Sequence, residues 1–173
     1  HYTMGLSVVT SHLYAGSTIL LTRHNLTDKS YWDFIRDQRA TSFTGVPYSY
    51  EVLRKLRFTK MNLPDLSLIT QGGGRLSDDL FKELAQFAQD TGRRFIATYG
   101  QTEGTARMAF LPHNLATGKT GSIGRAIPDG ELYLIDDHGD EIKEAEALGE
   151  MVYKGPNVTL GYAYCVEDLS KGD

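Results

Sequence analysis

A tyrosine, a glycine, a hydroxyl and a carboxylate stand together in Tyr99-Gly100-Gln101-Thr102-Glu103. The stretch before them, Arg93-Arg94-Phe95-Ile96-Ala97-Thr98, reads as a buried strand, and Gly104-Thr105-Ala106-Arg107 after them is small and polar. A tyrosine ring can stack on a flat base. A threonine hydroxyl, with its backbone N–H beside it, can donate to a phosphate oxygen. A glutamate supplies a hard oxygen suited to Mg2+ at a polyphosphate. One unit earlier, Gln71-Gly72-Gly73-Gly74 also leaves the end of a strand. Without Cβ atoms, its backbone can approach a flat ligand closely. Taken singly these are a sharp turn, a rim tyrosine and a capped loop with a surface glutamate. Their conjunction carries the argument, since open α/β sheets hold ligands beyond the carboxyl ends of their strands.

The elements that must position these groups follow from periodicity. Met4 to Ala15 keeps a helical face through Leu6, Val9 and Leu13, and Gly16 stops it. Ser17-Thr18-Ile19-Leu20-Leu21-Thr22 is β-branched and reads as a strand. Thr27 or Asp28 caps a helix whose face holds Tyr31, Phe34, Ile35 and Gln38. A strand follows at Ala40–Gly45, then a helix that Pro47 opens and Val52, Leu53 and Leu56 pattern. Asn62 to Asp65 is a turn, and Leu66–Thr70 is a strand that runs into the glycines. Ser77 caps the clearest helix, with Asp78 and Asp79 in its first turn, a stripe of Leu80, Phe81, Leu84, Phe87 and Ala88, and Gly92 at its end. Alternating strands and helices at this spacing predict an α/β domain with a mostly parallel sheet flanked by helices over residues 1–111. Residues 112–173 read as a partial, incomplete antiparallel β subdomain. There a polar loop runs from Pro112 to Thr120, and Glu131–Asp136 and Gly149–Lys154 form strands with Asp137-His138-Gly139-Asp140 turning between them.

With 173 residues the chain suits one domain, or one and part of a second. A net charge of -4 gives no general attraction for nucleic acid or anionic membrane. Cys165 is a single cysteine, which excludes an internal disulfide framework and fits a reducing, cytoplasmic setting. No stretch is apolar over a membrane-spanning length, and Asn157-Val158-Thr159 matches a glycosylation sequon by chance. The chain opens at His1 inside a patterned segment and stops at Asp173 with no element closed, so it is expected to be an excised piece of a larger protein.

Several motifs fail on inspection. Gly118-Lys119-Thr120 lacks the upstream glycine of a phosphate-binding loop, because His113 stands there. Gly72-Gly73-Gly74-Arg75-Leu76-Ser77 approximates a dinucleotide fingerprint. Ser77 replaces its third glycine, however, and Asp78 and Asp79 put negative charge where a pyrophosphate would sit. No Gly-x-Ser-x-Gly elbow and no His/Cys metal set is found.

Across nearly its whole length the sequence resembles the adenylate-forming (AMP-dependent synthetase/ligase) superfamily, which includes acyl- and aryl-CoA synthetases, luciferase-like ligases and peptide-synthetase adenylation domains. His1-Tyr2-Thr3-Met4-Gly5-Leu6 looks like its His/aromatic segment, and Gln71-Gly72-Gly73-Gly74 like its glycine-rich turn. Tyr99-Gly100-Gln101-Thr102-Glu103 matches its most specific motif, Tyr-Gly-x-Thr-Glu. Gly121-Ser122-Ile123-Gly124-Arg125-Ala126-Ile127-Pro128 resembles its Gly-Ser-x-Gly-x-x-x-Pro loop, and Gly149 to Pro156 with Gly161-Tyr162 resembles its closing strand pair.

The resemblance implies an ATP-dependent ligase that forms an acyl-adenylate from a carboxylate, releases pyrophosphate and passes the acyl group to CoA or a phosphopantetheine carrier thiol. It implies that Tyr99 packs on adenine, with Gly72, Gly73, Gly74, Gly100 and Gln101 around the nucleotide. Thr102 would bind the α-phosphate, Glu103 would hold Mg2+, and His1 would line the acyl pocket, which one of Arg107 and Met108 also faces. The family's phosphate loop with its lysine, its ribose-binding Thr-Gly-Asp and its catalytic lysine are not matched. Ser170-Lys171-Gly172-Asp173 resembles the ribose motif but comes too early and carries Lys for Thr. The expectation is therefore an internal fragment of the large N-terminal domain, inactive alone. The alternative is a non-catalytic nucleotide-binding or scaffolding relative.

Overall fold

The computed structural model describes residues 2–170. Its elements begin with helix α1 (Thr3–Tyr14) and helix α2 (Lys29–Asp37). Then strand β1 (Ser42–Gly45), helix α3 (Pro47–Lys55), strand β2 (Leu68–Gln71), helix α4 (Asp78–Asp90) and strand β3 (Arg94–Tyr99) alternate. Strands β4 (Ala109–Leu111), β5 (Arg125–Ala126), β6 (Glu131–Ile135), β7 (Glu141–Ile142) and β8 (Glu150–Lys154) follow. Residues 42–126 give a five-stranded sheet in the order β1-β2-β3-β4-β5, and the rest a three-stranded sheet in the order β7-β6-β8.

The α3 and α4 crossovers make β1, β2 and β3 parallel, with Gly45 beside Gln71 and Gln71 beside Ala97. Strand β4 then adds antiparallel to β3, and β5 antiparallel to β4. The sheet is thus mixed, α/β through β3 and antiparallel at its far edge. The two added strands escape periodicity because they are only 3 and 2 residues long.

Alternation along the strands sends Ile69, Phe95, Ala97 and Leu111 to one face, where they join α3 and α4 in a single core. Phe81 of α4 meets Phe95 edge-to-face at 5.2 Å between ring centroids. Leu80, Phe81, Leu84, Ala85 and Ala88 form the buried stripe of α4, and Ser77 caps it by accepting from the Leu80 N–H at 3.4 Å. Tyr50 of α3 is fully buried, and its hydroxyl donates to the Thr70 carbonyl at 2.6 Å. Burial pushes that phenol well above the ordinary tyrosine range, so it stays a donor. Helix α1 lies against the opposite face, where His12 Nε2 comes within 3.4 Å of Ser42 Oγ.

Two sequence expectations are corrected. Residues 17–22 form no strand: the run is mostly exposed, and a β-branched segment stays irregular without a ladder partner. The Asp137–Asp140 turn does not lead directly to β8. It joins β6 to the short β7, with the Asp136 carboxylate accepting from the His138 and Asp140 N–H groups, and β8 pairs along the other edge of β6. No described helix is long and apolar enough to cross a membrane.

Candidate functional site

Because β2 and β3 are parallel neighbours, their carboxyl ends deliver the glycine turn and the Tyr99 loop side by side. The Thr98 hydroxyl ties them, donating to the Gln71 carbonyl at 2.9 Å. Gln71 is buried to 4% exposure, and its side-chain amide crosses the turn to donate to the Gly74 carbonyl at 2.5 Å. The turn is therefore fixed from within rather than held by its ends. A Cβ on Gly72 would stand 2.4 Å from Thr98 Oγ1 and 2.8 Å from Met4 Cε, so this glycine serves the close packing of α1, β2 and β3.

The second loop is equally tight. A Cβ on Gly100 would come within 2.3 Å of the backbone of Thr105 and Ala106, which no side chain can tolerate. The loop closes on itself: the Gln101 N–H donates to the Thr105 carbonyl at 3.1 Å and the Met108 N–H to the Tyr99 carbonyl at 2.7 Å. The Gln101 amide also donates to the Tyr99 hydroxyl at 2.8 Å, which sets the ring's direction.

Between the two loops is a cavity of about 460 Å3, lined by Gly73, Gly74, Tyr99, Gly100 and Gln101 with Ala97, Thr98 and Gly121–Ile123. Its size falls among small-ligand pockets. Gly72 lies beneath it, and Thr102 and Glu103 stand outside it on the exposed tip of the Tyr99 loop. Thr3 Oγ1 donates to Thr102 Oγ1 at 3.3 Å, leaving the Thr102 proton free to serve a ligand. Glu103 borders a smaller cavity of about 210 Å3 that Tyr99, Gln101, Met151, Tyr153 and Val158 also line. The Tyr162 hydroxyl donates to Glu103 Oε1 at 2.7 Å. That bond, then the residue's own N–H, holds the Glu103 carboxyl below the usual glutamate range, so it is ionised at neutral pH.

Arg107 is half-buried, with its guanidinium 3.3 Å from Ser11 Oγ of α1, whereas Met108 is buried against Gly104. His1 lies outside the described residues, as do Lys171, Gly172 and Asp173 of the early ribose-like motif.

Sequence reasoning did not assign the third cavity wall, Gly121-Ser122-Ile123, nor Arg75, which lines the cavity and pairs with Asp78 at 3.3 Å. The glycine-spaced motif at 121–124 was the available signal, because a loop that returns to the sheet edge between two glycines is built for close approach. Tyr162 was visible only as part of a strand-pair motif.

For a magnesium–nucleotide ligand the donor set fits in one limited sense. No group of three or more His, Cys, Asp or Glu side chains fit to hold a metal occurs among the described residues. Mg2+ needs no such cage: it keeps waters and phosphate oxygens and takes one or two carboxylates from the protein. Glu103 supplies one.

The glycine-lined cavity thus opens at the carboxyl ends of parallel strands, the place where open α/β sheets hold ligands, with Thr102 and Glu103 on the loop tip outside it. The chain belongs to the AMP-binding enzyme family, whose model matches residues 1–163. It is similar to the indoleacetate–CoA ligase of Aromatoleum aromaticum, 31% identical over 154 residues, covering 88% of this chain and only 29% of that relative. Among solved structures, O-succinylbenzoate coenzyme A synthetase from Bacillus subtilis, in complex with ATP and magnesium ion, superposes at a TM-score of 0.74 and 25% identity over 91% of this chain and 31% of that one. The N-terminal domain of FACL13 from Mycobacterium tuberculosis shares the fold at a TM-score of 0.78 and 22% identity, covering 96% of this chain and 41% of that one. The chain thus spans well under half the length of each.

Proposed function

We propose that this chain is the nucleotide-facing part of an ATP-dependent, AMP-forming carboxylate–thiol ligase working in the cytoplasm. Such an enzyme joins a carboxylate to AMP, releases pyrophosphate, and passes the acyl group to CoA or a carrier thiol. The observation that carries this reading is the shared cavity: the glycine turn after β2 and the Tyr99 loop after β3 wall one space of about 460 Å3.

The proposed division of labour follows from charge. The one charged side chain among the described residues lining the cavity, Arg75, is paired with Asp78 at the start of α4 at 3.3 Å. That pairing offsets its attraction for a phosphate chain, so the cavity takes the uncharged base. Tyr99, turned by Gln101, stacks on it, and Gly73 and Gly74 offer backbone with no Cβ between. The phosphates then run toward the loop tip. The Thr102 hydroxyl donates to the α-phosphate and Glu103 gives one oxygen to Mg2+. Bound Mg2+ would neutralise charge that develops as pyrophosphate leaves. The residues of this chain contribute position and a fixed electrostatic frame.

The test is carboxylate-dependent ATP–pyrophosphate exchange by the natural protein that contains this sequence. Exchange is expected with at least one acid of a broad panel. Glu103→Ala is expected to lower it at least about tenfold, with only partial recovery in excess Mg2+. Folded protein that exchanges with no acid overturns the reading in favour of a non-catalytic nucleotide-binding or scaffolding relative, and wild-type exchange by Glu103→Ala removes that residue from the site.

A further inference from the structure

Glu103 is exposed on a loop tip, which is a poor place for a carboxylate that must present one oxygen to a cation. A free glutamate samples many rotamers, and fixing it opposes ordering entropy. The structure supplies a clamp from 59 residues away. After β8 the chain returns to the Tyr99 loop, where the Thr159 N–H donates to the Glu103 carbonyl at 2.7 Å and the Tyr162 hydroxyl donates to Glu103 Oε1 at 2.7 Å. One bond holds the backbone of Glu103 and the other its side chain.

Core packing does not account for this contact. Tyr162 is 62% exposed, and no described residue after Ala116 is buried. Gly161 just before it has φ +144°, and a Cβ there would meet nothing within 4 Å. Backbone conformation, not space, therefore calls for glycine at the point where the chain swings the ring back toward the loop.

We infer that Tyr162 is a positioning residue for Glu103: its hydroxyl occupies Oε1 and fixes the carboxylate so that Oε2 is presented in one direction. Carboxylates that hold metals are commonly oriented by such outer hydrogen bonds, and their loss weakens the metal. The inference rests on the proposed reading of Glu103 as the carboxylate facing Mg2+.

The experiment measures ATP binding by calorimetry as Mg2+ is titrated, together with the melting temperature. It uses the natural protein and its Tyr162→Phe, Glu103→Ala and doubly substituted forms. Tyr162→Phe removes one oxygen from an exposed ring. It is expected to raise the Mg2+ concentration for half-maximal binding about three- to tenfold, the range for losing an ordinary net hydrogen bond, as fits one exposed to solvent, with no change in melting temperature. Glu103→Ala is expected to raise it further, and Tyr162→Phe to add nothing in that background. If Glu103→Ala shifts the Mg2+ requirement and Tyr162→Phe does not, the inference fails and the reading of Glu103 stands. If Glu103→Ala shifts nothing, that reading fails and the inference with it. A Tyr162→Phe effect that persists without Glu103, or one matched by a loss of melting temperature, also overturns the inference.

Discussion

The five-stranded and the three-stranded sheet share a chain but not a physical basis. The first is sealed by α3 and α4: Tyr50, Leu53, Ile69, Phe95 and Leu111 are all nearly inaccessible. The second has a full antiparallel register, from Glu131 opposite Lys154 to Ile135 opposite Glu150, yet no residue of β6, β7 or β8 is buried. Ladder hydrogen bonds define both; the first adds deep apolar burial, and the second only half-buried side chains such as those of Leu132–Ile135. The groups proposed to touch the nucleotide stem mainly from the sealed sheet, and the clamp on Glu103 comes from the segment that follows the open one. A ring and a glycine turn need a fixed floor, whereas a clamp needs only a tether.

Matched substitutions test this contrast. Phe95→Ala, at the centre of the sealed sheet, is expected to cost about 3–5 kcal/mol in urea denaturation with an unchanged slope. Gly100→Ala forces a methyl into the Thr105–Ala106 backbone and is expected to cost about 2–3 kcal/mol and to abolish calorimetric AMP binding, because the loop that aims Tyr99 must open. Retained binding would mean that the loop is softer than its contacts imply. Leu134→Ala, in the half-buried middle of β6, is expected to cost only about 1 kcal/mol. A cost for Leu134→Ala equal to that of Phe95→Ala would erase the distinction between the two sheets.

The same contrast explains what was legible in the sequence. Helix α4 announces itself because its cap, its acidic first turn and its stripe all agree, and α3 because Pro47 stands at its first position. Strand β3 is readable from its apolar run. Residues 17–22 carry strand chemistry but lack a partner, and pairing is not a local property. Strands β4 and β5 are specified almost wholly by tertiary context, being too short to show a period. For the site, local chemistry picked out the glycine turn and the Tyr99 loop, and the parallel pairing of β2 and β3 explains why they meet. The wall at Gly121–Ile123 and the Tyr162 contact depend on where distant segments return, which residue type alone does not encode.

Sheet order in the larger sheet follows sequence order without exception, β1-β2-β3-β4-β5. Each new strand adds beside the one just made, so the sheet grows at one edge, from Ser42 beside Leu68 to Leu68 beside Arg94 and onward. Parallel pairing across helical crossovers is slow to close, yet each step needs only the strand made just before it. During synthesis the walls of the cavity would consequently mature in a fixed succession as the chain leaves the ribosome: glycine turn first, tyrosine loop second, the Gly121 loop third, and last the tail that clasps Glu103.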